Sequence, residues 1–127
     1  MNTYHRYIEL KRPLDYLAEC WARGWSSDPV EKEQYDWACM EPVEDALEDP
    51  ERAWSFILLA LRTPICQPHL GVLAAGPLED LLSHHGAQFI ERVEAEAKAN
   101  PKFAYVLGGV WQFQMTDEVW SRVQKVW

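Results

Sequence analysis

Apolar residues recur every three or four positions along most of this chain, the spacing of helices with one buried face. Leu14, Leu17, Ala18 and Trp21 form the first stripe, and Gly24 follows it as a stop. Trp54, Ile57, Leu58 and Leu61 form a second; Leu78, Leu81 and Leu82 a third, with Gly86 as its expected stop. Phe89, Ile90, Val93 and Ala97 continue the pattern, then Phe103, Val106, Leu107 and Val110, then Val119, Trp120, Val123 and Trp127. No run alternates apolar and polar residues with the β-branched enrichment of a strand. Residues 4–10 alternate weakly and fit an extended segment or a first helical turn equally well.

Proline marks where these helices begin. Asp28-Pro29, Asp49-Pro50 and Asn100-Pro101 each place an N-cap residue before a proline at the first helical position, where its missing N–H costs nothing. Lys11-Arg12-Pro13 and Gly76-Pro77 resemble starts without the best cap, and Thr116-Asp117-Glu118 is a start with acids in the first turn. Glu41-Pro42 is expected to kink or restart the helix that follows Asp28. The pattern predicts an all-α fold of six to eight short antiparallel helices. The strong starts at 29, 50, 77 and 101 fit a HEAT-like stack of helical pairs and a compact bundle alike.

Length and composition narrow this to a single helical domain spanning 1–127. The chain has 127 residues, 48% of them hydrophobic, and seven tryptophans, which is too apolar for disorder and enough to bury a core. The N-terminus lacks the apolar stretch of a secretory signal, and the longest apolar run, residues 56–61, is far short of a membrane span. Cys20, Cys39 and Cys66 are odd in number and show no metal or redox spacing, so they read as free thiols in small apolar niches. The expectation is a cytoplasmic protein.

Charge changes the picture most. Residues 28–51 hold ten of the twenty carboxylates (Asp28, Glu31, Glu33, Asp36, Glu41, Glu44, Asp45, Glu48, Asp49, Glu51) and one cation, Lys32, giving −9. The remaining 103 residues carry ten acids and eleven bases, so the net −8 is a local feature. An acidic chain does not bind nucleic acid directly through its phosphates, nor an anionic membrane surface. A solvated helix face would explain acids anywhere, but it explains their concentration less well, because like charges at i, i+4 such as Glu41 with Asp45 and Glu44 with Glu48 oppose the helix.

No motif names a reaction. Asp80 and His84 stand at i, i+4 and are weak metal candidates, but His85 points about 100° away, and His69 or Cys66 would have to complete the set. Histidines before a helix end and acids such as Glu79 and Asp80 in a first turn are also expected from the helix dipole alone. Gly108-Gly109 reads as a close helix contact or a kink. No phosphate-cradling loop, serine elbow or cofactor motif is present, so no cofactor is expected.

Two blocks carry a resemblance. Asp49-Pro50-Glu51-Arg52-Ala53-Trp54 and the stretch from GPLEDLL to LGGVW within residues 75–111 resemble a family of small bacterial helical domains with DPExAW-like and GPLEDLL…LGGVW blocks. The resemblance implies a bacterial or phage origin and an all-helical fold. That family carries no assigned reaction or ligand, so no catalytic residue is passed on. Residues 1–48, with most of the acidic segment, match it least.

The sequence therefore points to a non-enzymatic module that docks a basic protein partner, for example a toxin-neutralising immunity or inhibitor protein. The expected contact residues are Glu31, Glu33, Asp36, Glu41, Glu44, Asp45, Glu48 and Asp49, edged by Trp25 and Trp37. The alternatives are a self-associating helical scaffold and, last, a metal-dependent hydrolase built on Asp80 and His84.

Overall fold

A computed structural model describes residues 2–127, in which helices are joined by short turns and loops, with no strand among the described residues. The helices are α1 (Thr3–Glu9), α2 (Leu14–Gly24), α3 (Pro29–Glu48), α4 (Pro50–Leu61), α5 (Leu70–Leu73), α6 (Glu79–Ala99), α7 (Pro101–Leu107) and α8 (Asp117–Gln124). A 3₁₀ segment, Pro64–His69, leads into α5, and a π-helical turn, Ala74–Leu78, carries α5 directly into α6.

The caps form where the sequence places them. Asp28 Oδ1 accepts from the Val30 N–H at 3.1 Å, and Asp49 Oδ1 from Arg52 at 3.3 Å. Asn100 Oδ1 accepts from Lys102 and Phe103 at 3.1 and 3.4 Å, and Thr116 Oγ1 from Val119 at 3.2 Å. Each cap satisfies backbone donors that would otherwise lack a partner, a contribution of about 1 kcal/mol. Residues 4–10 lie largely within α1, capped by the Asn2 side chain. The turn from α1 to α2 holds Lys11 and Arg12 at φ 69° and 57°, a left-handed conformation unusual for side chains other than glycine.

Pro42 lies inside α3, which does not restart there but continues to Glu48. Two other punctuation marks act differently from the sequence reading. Gly76-Pro77 starts no new helix: it sits in the π-helical turn, whose wider winding accommodates a ring that would collide with the carbonyl four residues back. Gly86 does not stop α6; the helix kinks at His85 (φ −134°, ψ 29°) and runs on. Gly86 instead lets α8 approach, since a Cβ there would lie 3.0 Å from Val119 Cγ1.

The core is one cluster that runs from Tyr7 to Val123. Trp21 packs edge-on against Phe56 with centroids 5.7 Å apart, and Trp54 sits 6.0 Å from Phe89 and 5.7 Å from Phe103. Trp127, expected in the core from its stripe, is exposed and lies on Trp120 at 5.3 Å. α3 is the hub: it packs against α1, α2, α4, α6 and the π-helical turn. Its buried residues, Ala38, Pro42, Asp45 and Ala46, are small apart from Asp45. Contacts that reach this far along the chain make the arrangement a compact bundle rather than a succession of neighbouring pairs.

The α2–α3 contact is close because Gly24 has no side chain. A Cβ there would fall 2.5 Å from Cys39 Sγ and 2.9 Å from the Tyr35 carbonyl oxygen. Gly71, by contrast, has nothing within 4 Å of the same position. Gly24→Ala should therefore lower unfolding free energy by about 1–3 kcal/mol. Gly71→Ala should be neutral or stabilising by up to about 1 kcal/mol. Urea denaturation of the two variants checks both signs.

Candidate functional site

α3 carries carboxylates on two faces that do different work. On the inner side, Asp45 is 6% exposed. Arg52 Nε, from the first turn of α4, donates to Asp45 Oδ2 at 3.0 Å, and Arg12 Nη2 lies 3.6 Å from Oδ1. Arg52 Nη2 also donates to the Tyr7 hydroxyl and, at 3.0 Å, to the Arg12 carbonyl. Tyr7 faces Glu41 Oε2 at 3.5 Å, and Arg12 donates to the same oxygen at 3.2 Å. Burial pushes the Asp45 carboxyl above its ordinary range, and Arg52 and Arg12 pull it back only in part. Burial likewise raises the Tyr7 phenol.

This geometry divides the expected contact set. Asp45 and Glu41 are committed to an internal network that joins α1, the α1–α2 turn, α3 and α4, and they offer little to an outside partner. Glu31 lies 3.8 Å from Arg23, and Glu51 accepts from Arg92 at 2.7 Å, a contact that lowers its pKa. Asp28 and Asp49 cap helices. Trp37 is half-buried beneath α1: its Nε1 donates to Thr3 Oγ1 at 2.8 Å, and its ring lies 4.8 Å from that of Tyr7. It is part of the packing rather than an edge of an open face.

What remains is ordered. Glu33, Asp36, Glu44 and Glu48 are exposed and have no ion-pair partner among the described residues. At about 100° per residue they fall within an arc of roughly 120° on the outer side of α3. Met40 and Leu47 lie within that arc, on its Asp36 side, and are 56% and 53% exposed. Along one edge, Val43 and Met40 meet Trp25, Val72, Ala75 and Pro77 across an open, largely apolar groove of about 450 Å³. Trp25 is thus the one tryptophan of the expected pair that borders the acidic face. The spacing of Met40, Val43 and Leu47 inside the acidic segment was the available signal for this apolar seam.

The acids at the end of α3 oppose its dipole. Glu44 and Glu48 sit in the last turns, one helical turn apart, where negative charge is unfavourable. His85 compensates in part: its Nε2 lies 3.0 Å from the Leu47 carbonyl oxygen, one of the acceptors left at the helix end.

The other candidates do not assemble. No group of three or more His, Cys, Asp or Glu residues among the described residues could hold a metal. Cys66 Sγ is buried against the Ala18 carbonyl at 3.3 Å, and His69 packs on Trp21, so neither completes a set with Asp80 and His84. Burial raises the Asp80 carboxyl, with His84 pulling the other way. Glu79 Oε1 accepts from the Trp111 N–H at 2.8 Å, a structural tie to the loop after α7. Gly109 makes the close contact expected of the glycine pair, 3.1 Å from Ala74 Cβ at the position of a Cβ. Burial pushes Cys20, Cys39 and Cys66 up to about 11, so at neutral pH they are thiols rather than nucleophilic thiolates. No single helix is long and apolar enough to cross a membrane among the described residues.

Fold and face together define a small all-α domain with an outward acidic helix seamed by apolar residues. The chain belongs to a family of unknown function (DUF6869), whose model matches residues 26–127. No curated protein and no solved structure matches it. The match begins just before α3, so the acidic segment lies within the family's span and not outside it; only α1 and α2 precede it.

The two faces of α3 predict opposite mutational signs. Arg52→Met leaves the buried Asp45 carboxylate only the more distant Arg12 and should cost about 3–5 kcal/mol. Glu44→Lys removes a like-charge neighbour from Glu48 and complements the dipole, and should stabilise by about 0.3–1 kcal/mol; chemical denaturation reads both. Because the folded-state pKa of Asp45 is raised, its stabilising contribution is greatest below the unfolded carboxyl range and is lost as pH rises through the folded value. The stability gap between wild type and Asp45→Asn should therefore shift in the wild type's favour as pH falls from neutral, measured by denaturation at a series of pH values.

Proposed function

We propose that this protein is a bacterial, cytoplasmic, non-enzymatic protein-binding module whose outer α3 face docks a basic protein surface. The observation that carries this reading is the unpaired set Glu33, Asp36, Glu44 and Glu48, gathered on one exposed arc around Met40 and Leu47. The arginines that could neutralise this arc, Arg12, Arg23, Arg52 and Arg92, are spent on other carboxylates. A carboxylate arc draws in a cationic surface and speeds association, while the apolar residues within it supply contacts that salt does not screen. An immunity or inhibitor protein is the form this takes when the partner's basic surface is an active site.

A second reading, self-association as a scaffold, is favoured by a different observation. Tyr105 and Trp111 are 83% and 75% exposed, Phe113 beside Trp111 is exposed as well, and exposed Trp127 lines a groove together with Tyr105. Exposed aromatics of this size are costly unless a surface covers them. Light scattering separates the readings: a scaffold gives a concentration-dependent mass that charge reversal on α3 does not alter.

The quadruple variant Glu33→Lys, Asp36→Lys, Glu44→Lys, Glu48→Lys tests the docking reading. Wild type should capture a basic protein from source-cell lysate at low salt, and the purified partner should bind roughly tenfold or more weakly after reversal or at high salt. Equal binding by wild type and variant rejects it.

A further inference from the structure

The groove beside the acidic arc has a shape as well as a charge. One wall is the Met40–Val43 side of α3; the other is α5 and the π-helical turn, with Val72, Ala75 and Pro77. Trp25 stands at the groove as its largest exposed side chain. Buried Trp21 lies beneath it, and Gly71 and Gly76 leave room along the opposite wall: neither has anything within 4 Å of the position a Cβ would take. Proline and a π-helical turn together widen the wall locally, a departure from regular winding that often accompanies a binding role.

We propose that this groove receives an amphipathic basic helix of the partner. Its bulky apolar side chains seat between Met40, Val43, Val72 and Pro77 against Trp25, and lysines or arginines on its flank meet Glu33, Asp36, Glu44 and Glu48. Charge complementarity identifies the occupant's sign, because the carboxylates without partners lie on the same helix that forms the groove wall. Geometry identifies its form. There is no sheet edge among the described residues for an extended strand to join. The seam of Met40, Val43 and Leu47 repeats at helical intervals, which is the ridge that another helix interdigitates with. The thioether of Met40 adapts to different anchors, and Trp25 supplies a large rigid contact. This inference rests on the docking reading above and adds the partner's secondary structure and its apolar anchors.

The probe is a synthetic peptide of about 20 residues, long enough to hold a helix, with leucines at i, i+3, i+4 and i+7 spacing and lysines elsewhere. The control has the same composition scrambled so that no face is apolar. Binding is followed by the ¹³C-methyl signal of Met40, with the buried Met115 as reference. The patterned peptide should shift Met40 and bind about tenfold or more tightly than the scrambled one. Ala75→Trp, which fills the groove from its exposed side, should erase that preference and leave only weak, salt-sensitive binding; Gly71→Leu replaces it if Ala75→Trp fails to fold by circular dichroism. No preference for the patterned peptide overturns the groove inference. So does a preference that survives Ala75→Trp, even when the quadruple reversal abolishes binding, and in that case the acidic docking reading stands. Binding unchanged by the reversal removes the docking reading itself.

Discussion

The side chain of Arg52 holds the N-terminal half of this protein in register. It leaves the first turn of α4 and reaches Asp45 on α3, the hydroxyl of Tyr7 on α1 and the carbonyl of Arg12 in the turn between α1 and α2. Its backbone N–H is meanwhile the donor that Asp49 caps. One residue thus fixes the corner between α3 and α4 and anchors a turn with two side chains in left-handed conformation. A buried ion pair returns little net stability, because desolvation of both charges offsets most of their attraction. Its consequence here is geometric: it sets which side of α3 faces inward.

That choice sorts the charge. With Asp45 and Glu41 taken up by Arg52 and Arg12 at one edge of the helix, Glu33, Asp36, Glu44 and Glu48 remain on the side turned to solvent. Four arginines neutralise Glu31, Glu41, Asp45 and Glu51, and all four lie outside the acidic segment. A run that sums to −9 therefore presents four unpaired carboxylates in one arc. Two of them crowd the negative end of the α3 dipole, where a lysine would favour the fold. Their placement makes sense as a feature of the surface and not of the helix.

Local signals were legible and distant ones were not. Asp28-Pro29, Asp49-Pro50, Asn100-Pro101 and Thr116 act within a few residues, and each caps the helix its sequence announces. Gly76 and Gly86 carry the same kind of local signal, yet the chain stays helical through both. At Pro77 a wider turn absorbs the ring, and at Gly86 the missing side chain serves the approach of Val119. The division of the acids depends on Arg12 and Arg92, 29 and 41 residues from the carboxylates they meet. Summed charge along a segment contains neither that pairing nor the phase of the helix. The groove was illegible for the same reason, since α5 lies some thirty residues beyond Met40 in the chain.

The family match divides these features unevenly. The groove walls, from Met40 and Val43 to Val72, Ala75 and Pro77, lie within residues 26–127, and so do the four outward acids. The internal network depends on Tyr7 and Arg12, which precede the match, and so does Trp21 beneath the groove. α1 and α2 therefore act on the face from behind. They cover Trp37, occupy Glu41 and Asp45, and leave the outer arc of α3 as the side turned to solvent. The surface proposed to recognise a partner lies mostly within the matched residues, with Trp25 just ahead of them, and Arg12 and Arg52 tie the preceding helices to the back of α3.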